Sequence, residues 1–181
     1  MSGETEARMA KAVEAFTRDL SGFRTGRASA ALVERVTVEV YGAATPLNQL
    51  AGISVPESTL LVVQPWDPST IPAVEKALNA AQLGMTPAVD GGVIRLRVPA
   101  MTEERRKDLV KQMGKRAEEA RIEIRNVRRD EQDAVKKREK AHEIGEDDAR
   151  RQLDAIQKLT DAKIAEIDRL TAAKEREVLE G

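Results

Sequence analysis

The chain has 181 residues, with 30 Lys and Arg against 31 Asp and Glu; it is nearly neutral at net -1, and 34% of it is charged while only 2% is aromatic. Its core must therefore be aliphatic and alanine-rich, which suits helices packed lengthwise. Cysteine is absent and His142 is the single histidine, which excludes disulfides, thiolate zinc sites and a His-His metal pair and leaves any Ser-His-Asp triad dependent on one imidazole.

The N-terminal segment mixes Glu4, Glu6, Glu14 and Asp19 with basic residues and holds no apolar run, so no signal or transit peptide is evident. No stretch reaches the ~18 consecutive apolar residues of a membrane span, and a cytoplasmic location follows as the expectation. Met9, Val13, Phe16, Leu20 and Phe23 step by fours and threes, which places them on one helical face. This predicts a first helix from about Ser2 to Arg24, with Ser2 as N-cap, Glu4 and Glu6 in the first turn, and Thr25-Gly26 as the stop.

From Ala30 to Met101 the pattern changes to proline-rich sequence with period-two alternation. Val36, Val38 and Val40 alternate with Thr37, Glu39 and Tyr41, and Ile94, Leu96 and Val98 alternate with Arg95 and Arg97, predicting half-buried strands. Thr59 to Gln64 reads as a compact apolar strand, Pro65, Asp67 and Pro68 break the chain, and PAVEKAL (72–78) opens a helix on a proline. Gly91-Gly92 reads as a hairpin turn, because no GxGxxG or lysine-terminated glycine loop accompanies it. Trp66, between Pro65 and Asp67, fits either a packed lid or an exposed contact.

Thr102-Glu103-Glu104 then caps a long helix whose seam is Leu109, Met113, Ala117, Ala120, Ile124, Val127, Glu131 and Ala134, with Glu131 its one charged member. That helix ends near Ile144-Gly145. Another begins at EDDARRQ (146–152) and carries Leu153, Ile156, Leu159, Ile164, Ile167, Leu170 and Val178. Such sustained spacing predicts an elongated three-helix bundle, residues 1–29 and 102–181, interrupted by an inserted α/β domain over 30–101: an α+β protein. The first helix is the shortest, so the other two should project beyond it as a two-helix tip. Two short crossings, FRTGRAS (23–29) and VPAMTEE (98–104), join the parts. Gly26, Arg27, Ala28 and Ser29 in the first, with Pro99, Ala100, Met101 and Thr102 in the second, are the candidate hinge.

Charge is unevenly placed. The insert holds Arg35, Lys76, Arg95 and Arg97 against Glu34, Glu39, Glu57, Asp67, Glu75 and Asp90, so it is slightly acidic. Residues 105–129 carry ten basic side chains against Asp108, Glu118, Glu119 and Glu123. Arg121, Arg125 and Arg128 fall on one helical arc with Arg129 a little further round, flanking the apolar seam, and guanidinium forks on a rigid helix suit phosphates. The plainer reading is a solvated face with ion pairs to Glu118 and Glu123. His142, near a helix C-terminus, reads as a structural or surface residue, and the adjacent Glu118-Glu119 and Asp147-Asp148 diverge on a helix and form no acid-base pair.

FRTGRAS (23–29), VYG (40–42), PAVEKAL (72–78), TEERRKDL (102–109), RNVRRD (125–130), EDDARRQ (146–152) and QKLTDAKI (157–164), in this order, resemble bacterial ribosome recycling factor over nearly the whole chain. The resemblance implies an L-shaped protein: a three-helix bundle with an α/β insert on a flexible elbow. It implies a bundle lying between the ribosomal subunits and contacting large-subunit RNA through Arg128 foremost, then Arg125 and Arg129, Arg106 in TEERRKDL and Arg24 in FRTGRAS. It further implies that elongation factor G, using GTP, pushes the insert so that the subunits part and messenger and transfer RNA leave. No cofactor and no catalytic residue of this chain would be involved, and a monomer is expected. The alternative from another class is a coiled-coil adaptor or chaperone that binds proteins through its seam or insert.

Overall fold

The computed structural model describes residues 3–180, and the chain divides into two compact units. One takes the chain up to Arg24 and then Glu103–Glu180; the other is Thr25–Thr102. The division falls after Arg24 and after Thr102, so residues 25–29, counted with the bundle in the sequence reading, belong with the insert.

The first unit is built from α1 (Gly3–Ser21), α3 (Glu103–Lys140) and α4 (Glu146–Glu180), each packed against the other two. Helix α1 carries Glu4 and Glu6 in its first turn and buries Met9, Val13, Phe16 and Leu20, as the spacing predicts. The Ser2 cap lies outside the described residues. The helix stops three residues short of the expected Arg24, where Gly22 and Phe23 turn back to the carbonyls of Asp19 and Leu20.

At ~1.5 Å per residue α3 and α4 run to about 57 Å and 52 Å, against about 28 Å for α1. Beyond α1, Val135, Ala149 and Ile156 close a small core of their own between α3 and α4, with Ile144 and Leu153 against it. The α3 seam departs from the sequence reading at its end. Ala134 is exposed and Val135 is buried, because the seam steps by four through Glu131, whose Oε2 accepts from Thr5 Oγ1 at 2.8 Å. On α4 the most buried line is Ala149, Ile156, Thr160, Ile167, Thr171 and Val178. The threonines enter an apolar core because each hydroxyl donates to the carbonyl four residues earlier, Thr160 to Ile156 at 2.8 Å and Thr171 to Ile167 at 2.7 Å.

The turn from α3 to α4 assigns His142 its place. Its φ is 56, its N–H donates to Glu139 at 3.0 Å, and the Glu143 N–H donates to Arg138 at 2.9 Å. This pair of bonds is a Schellman motif with histidine in the left-handed position that glycine usually takes.

The second unit holds a two-stranded sheet, β1 (Thr37–Val40) with β2 (Ala43–Pro46), and an antiparallel four-stranded sheet in the order β3-β4-β6-β5. Its strands are β3 (Ala51–Glu57), β4 (Leu60–Pro65), β5 (Pro87–Asp90) and β6 (Val93–Arg97). The single helix α2 (Ile71–Ala80) starts with Pro72 in its first turn and buries Val74 and Leu78 among Val38, Leu61, Val63, Ile94 and Leu96. The Gly91-Gly92 hairpin joins β5 to β6, with Gly91 at φ 63. Strands β2, β3 and β5 were not expected from the sequence.

The candidate hinge residues are tied into this second unit. The Ala28 N–H donates to Ser58 at 2.7 Å and Ser29 Oγ caps the turn at Ala30–Leu32. Gly26 has φ 74, a left-handed backbone that favours glycine, and a Cβ there would come within 3.1 Å of Met101 Cε, the movable end of a flexible side chain.

Candidate nucleic-acid interface

Helix α3 begins with Glu103 and Glu104 and ends with Lys137, Arg138 and Lys140, charges that complement its dipole. Between them lie the arginines of the candidate face, and their surroundings separate them into two kinds.

Arg121 is held within the bundle. Its Nε donates to Asp168 Oδ1 on α4 at 2.8 Å and its Nη1 to Glu118 Oε2 at 2.8 Å, with 23% of the side chain exposed. Burial alone would lower its pKa, and the hydrogen bonds to Asp168 and Glu118 outweigh burial and raise it. Arg125 is half-buried and donates from Nη1 to Glu118 Oε1 at 3.1 Å. Glu118, bonded first by Arg121 and then by Arg125, is held below the usual carboxylate range. The plainer reading, i,i+4 pairs to Glu118 and Glu123, holds only in part: Glu118 pairs with Arg121 and Arg125 at three and seven residues' distance, Arg121 also reaches across to Asp168, and Glu123 makes no ion pair among the described residues.

Arg128 and Arg129 differ. Neither makes a hydrogen bond or ion pair among the described residues. Arg129 is exposed, whereas Arg128 is half-buried with its Nε out of contact with solvent and without a hydrogen-bond partner. A buried donor left unsatisfied on a charged group costs stability, on the order of 1–3 kcal/mol. Arg106 is also half-buried on α3, 22 positions before Arg128 and about 33 Å along the axis. Arg24 is exposed, beyond the end of α1.

Other charges serve the bundle. Arg116 donates from Nε to Asp19 on α1 at 2.6 Å and stacks its guanidinium 5.7 Å from the Phe16 ring centroid, and Arg8 reaches Asp130 at 3.0 Å. In sequence these were indistinguishable from the phosphate candidates, since their partners lie about a hundred residues away. Among the described residues no group of three or more His, Asp or Glu side chains could hold a metal ion, and no helix is long and apolar enough to cross a membrane.

The geometry is thus a stiff helix presenting arginines along one side, some neutralised by carboxylates and some not. The family model for ribosome recycling factor matches residues 16–179. The chain belongs to the ribosome recycling factor family. It is 54% identical over 177 residues to the ribosome-recycling factor of Geobacillus thermodenitrificans, covering 98% of this chain and 96% of the relative. It is 54% identical over 176 residues to that of Bradyrhizobium diazoefficiens, covering 97% and 94%.

A solution structure of ribosome recycling factor superposes with a TM-score of 0.75 at 46% identity over 98% of this chain and 95% of that one. Another solved structure matches with a TM-score of 0.62 at 44% identity over 97% and 95%. It comprises models for the T. thermophilus ribosome recycling factor and the E. coli elongation factor G bound to the E. coli post-termination complex. The family accounts for the combination of a helical bundle and a small sheet unit.

Proposed function

We propose that this chain binds the post-termination ribosome and, with elongation factor G and GTP, splits it into subunits and releases messenger and transfer RNA. In this reading it works in the cytoplasm as a monomer without cofactor, and the chemical step, GTP hydrolysis, belongs to the elongation factor. The observation that carries the reading is Arg128, a half-buried guanidinium with an orphaned Nε and no carboxylate on a face where Arg121 and Arg125 are already neutralised. Arg128 and Arg129 are the foremost contacts to ribosomal RNA, Arg106 and Arg24 extend them, Arg125 shares its charge with Glu118, and Arg121 chiefly positions α3 against α4. Phosphate contacts of this kind make affinity fall steeply with salt, by roughly one logarithmic unit per tenfold salt for each phosphate engaged.

The slightly acidic insert gains little from RNA and is the arm that meets a protein. Its pivot lies at the two chain crossings, Arg24-Thr25 and Thr102-Glu103, because residues 26–29 are fastened to the insert. The adaptor reading loses its principal surface, since the seams of α1, α3 and α4 are buried against one another.

Light scattering of purified post-termination ribosomes tests the proposal. Scattering should fall only when this chain, elongation factor G and GTP are all present, and Arg128→Ala should weaken the effect while the variant remains folded. Intact ribosomes with the folded wild-type chain would refute it.

A further inference from the structure

The chain has one tyrosine and one tryptophan, and both stand on the surface of the second unit, Tyr41 at 76% exposure and Trp66 at 68%. Exposure of both in a protein so poor in aromatics is unusual enough to ask what holds them there. Tyr41 and Gly42 form the two-residue turn between β1 and β2, at φ 52 and 75. Such a turn favours asparagine or glycine at its first position, and a bulky side chain in the left-handed region is strained. The strain is not offset by burial of the ring. The Tyr41 hydroxyl instead donates to Asp67 Oδ2, and the other carboxylate oxygen of Asp67 accepts from the Ser69 N–H at 3.0 Å and Ser69 Oγ at 2.7 Å.

The backbone N–H of the neighbouring Trp66 donates to the Leu50 carbonyl at 3.1 Å, and its indole Nε1 lies 3.9 Å from where a Cβ on Gly52 of the edge strand β3 would stand. The Tyr41 ring is therefore tied to Asp67 by its hydroxyl, and Trp66, the chain neighbour of Asp67, stands exposed with its indole beside Gly52. Aromatic faces beside a carboxylate, on a unit whose acidic residues outnumber its basic ones, attract a cationic side chain and disfavour a polyanion such as RNA.

We propose that Tyr41, Trp66 and Asp67 form the seat for an arginine- or lysine-bearing segment of elongation factor G. The assignment rests on the recycling function proposed above and adds the face of the insert through which the factor acts. The rings take the cation by their faces, and the strained turn holds Tyr41 outward where a relaxed residue would offer no ring.

The test uses the full chain on post-termination ribosomes. With Trp66 replaced by photoreactive p-benzoylphenylalanine, illumination should link position 66 to elongation factor G, only when the factor and a GTP analogue are present, at a segment containing arginine or lysine. Linkage to ribosomal RNA or to a ribosomal protein in its place, or no linkage, overturns the seat. In the splitting assay Trp66→Ala should raise the half-saturating concentration of elongation factor G by about tenfold. Ribosome affinity by sedimentation should stay unchanged, and Trp66→Phe should restore most of the loss. A Trp66→Ala chain with wild-type dependence on the factor overturns the seat and leaves the recycling reading standing, whereas a wild-type chain that splits nothing overturns both.

Discussion

Arg121 and Asp168 join α3 to α4 through a 2.8 Å contact from Nε to Oδ1, across 47 residues of sequence. Because the arginine is mostly buried and also bonded to Glu118, its removal costs packing of the side-chain stem as well as charge. Arg121→Ala should lower unfolding free energy by about 1 kcal/mol, with a coupling to Asp168→Ala of ~0.2–1 kcal/mol in a double-mutant cycle. Arg128→Met should leave stability equal or slightly higher, because it retains an apolar stem and removes an unsatisfied Nε. Urea titrations of the variants, set beside ribosome sedimentation, check the division: Arg121 governs the fold and Arg128 governs the ribosome. Equal stability losses at the two sites would contradict it.

The acid limb of stability should report on Glu118. Hydrogen bonds from Arg121, then Arg125, hold its folded-state pKa below the ordinary value near 4.5. The unfolded chain therefore takes up the proton first as pH falls. The stabilisation is complete above the ordinary value and disappears as pH drops through the lowered folded one. Urea midpoints measured across this range should show Glu118→Gln less stable than wild type near neutrality and the two curves converging in acid. Parallel curves would mean that the pair contributes nothing.

How far the sequence discloses this protein depends on the range of the interaction. The helical seams are legible because they recur every three or four residues, and Met9 to Leu20 and Leu109 to Val127 are buried as the period requires. The reading slips at Ala134 because Glu131 belongs to the seam through a hydroxyl supplied by Thr5, 126 residues away. It passes over Thr160 and Thr171 because their bonds to preceding carbonyls make them compatible with an apolar core. Strand β3 escapes notice because Gly52 and Pro56 interrupt any alternation, and β5 is only four residues long. In the candidate interface the cluster of arginines is visible in RNVRRD, but which of them already has a partner depends on Asp168 and Glu118 and on burial of one Nε, none of which has a local signature.

Gly114 lies in the interior of α3, and a Cβ built there meets nothing within 4 Å. The position therefore bears the entropic cost of glycine with no close approach to justify it. Gly114→Ala should stabilise the chain by about 1 kcal/mol. A higher denaturant midpoint at unchanged slope is the expected result, and a lower midpoint would mean that the extra methyl group meets something when the helix moves.

His142 offers the opposite case, a side chain where glycine belongs. In the left-handed position of the α3 C-terminal motif it is exposed, and its backbone N–H is the group in use, bonded to Glu139. An L-residue pays about 1–2 kcal/mol for this conformation, although histidine tolerates it better than most, and glycine regains part of that difference after its greater unfolded-state entropy is counted. His142→Gly should therefore raise stability by about 0.5–1 kcal/mol, while His142→Val, branched at Cβ, should lower it. Thermal unfolding of the two variants gives shifts of opposite sign if the backbone angle is what matters. Equal losses in both would show instead that the imidazole itself contributes to the tip.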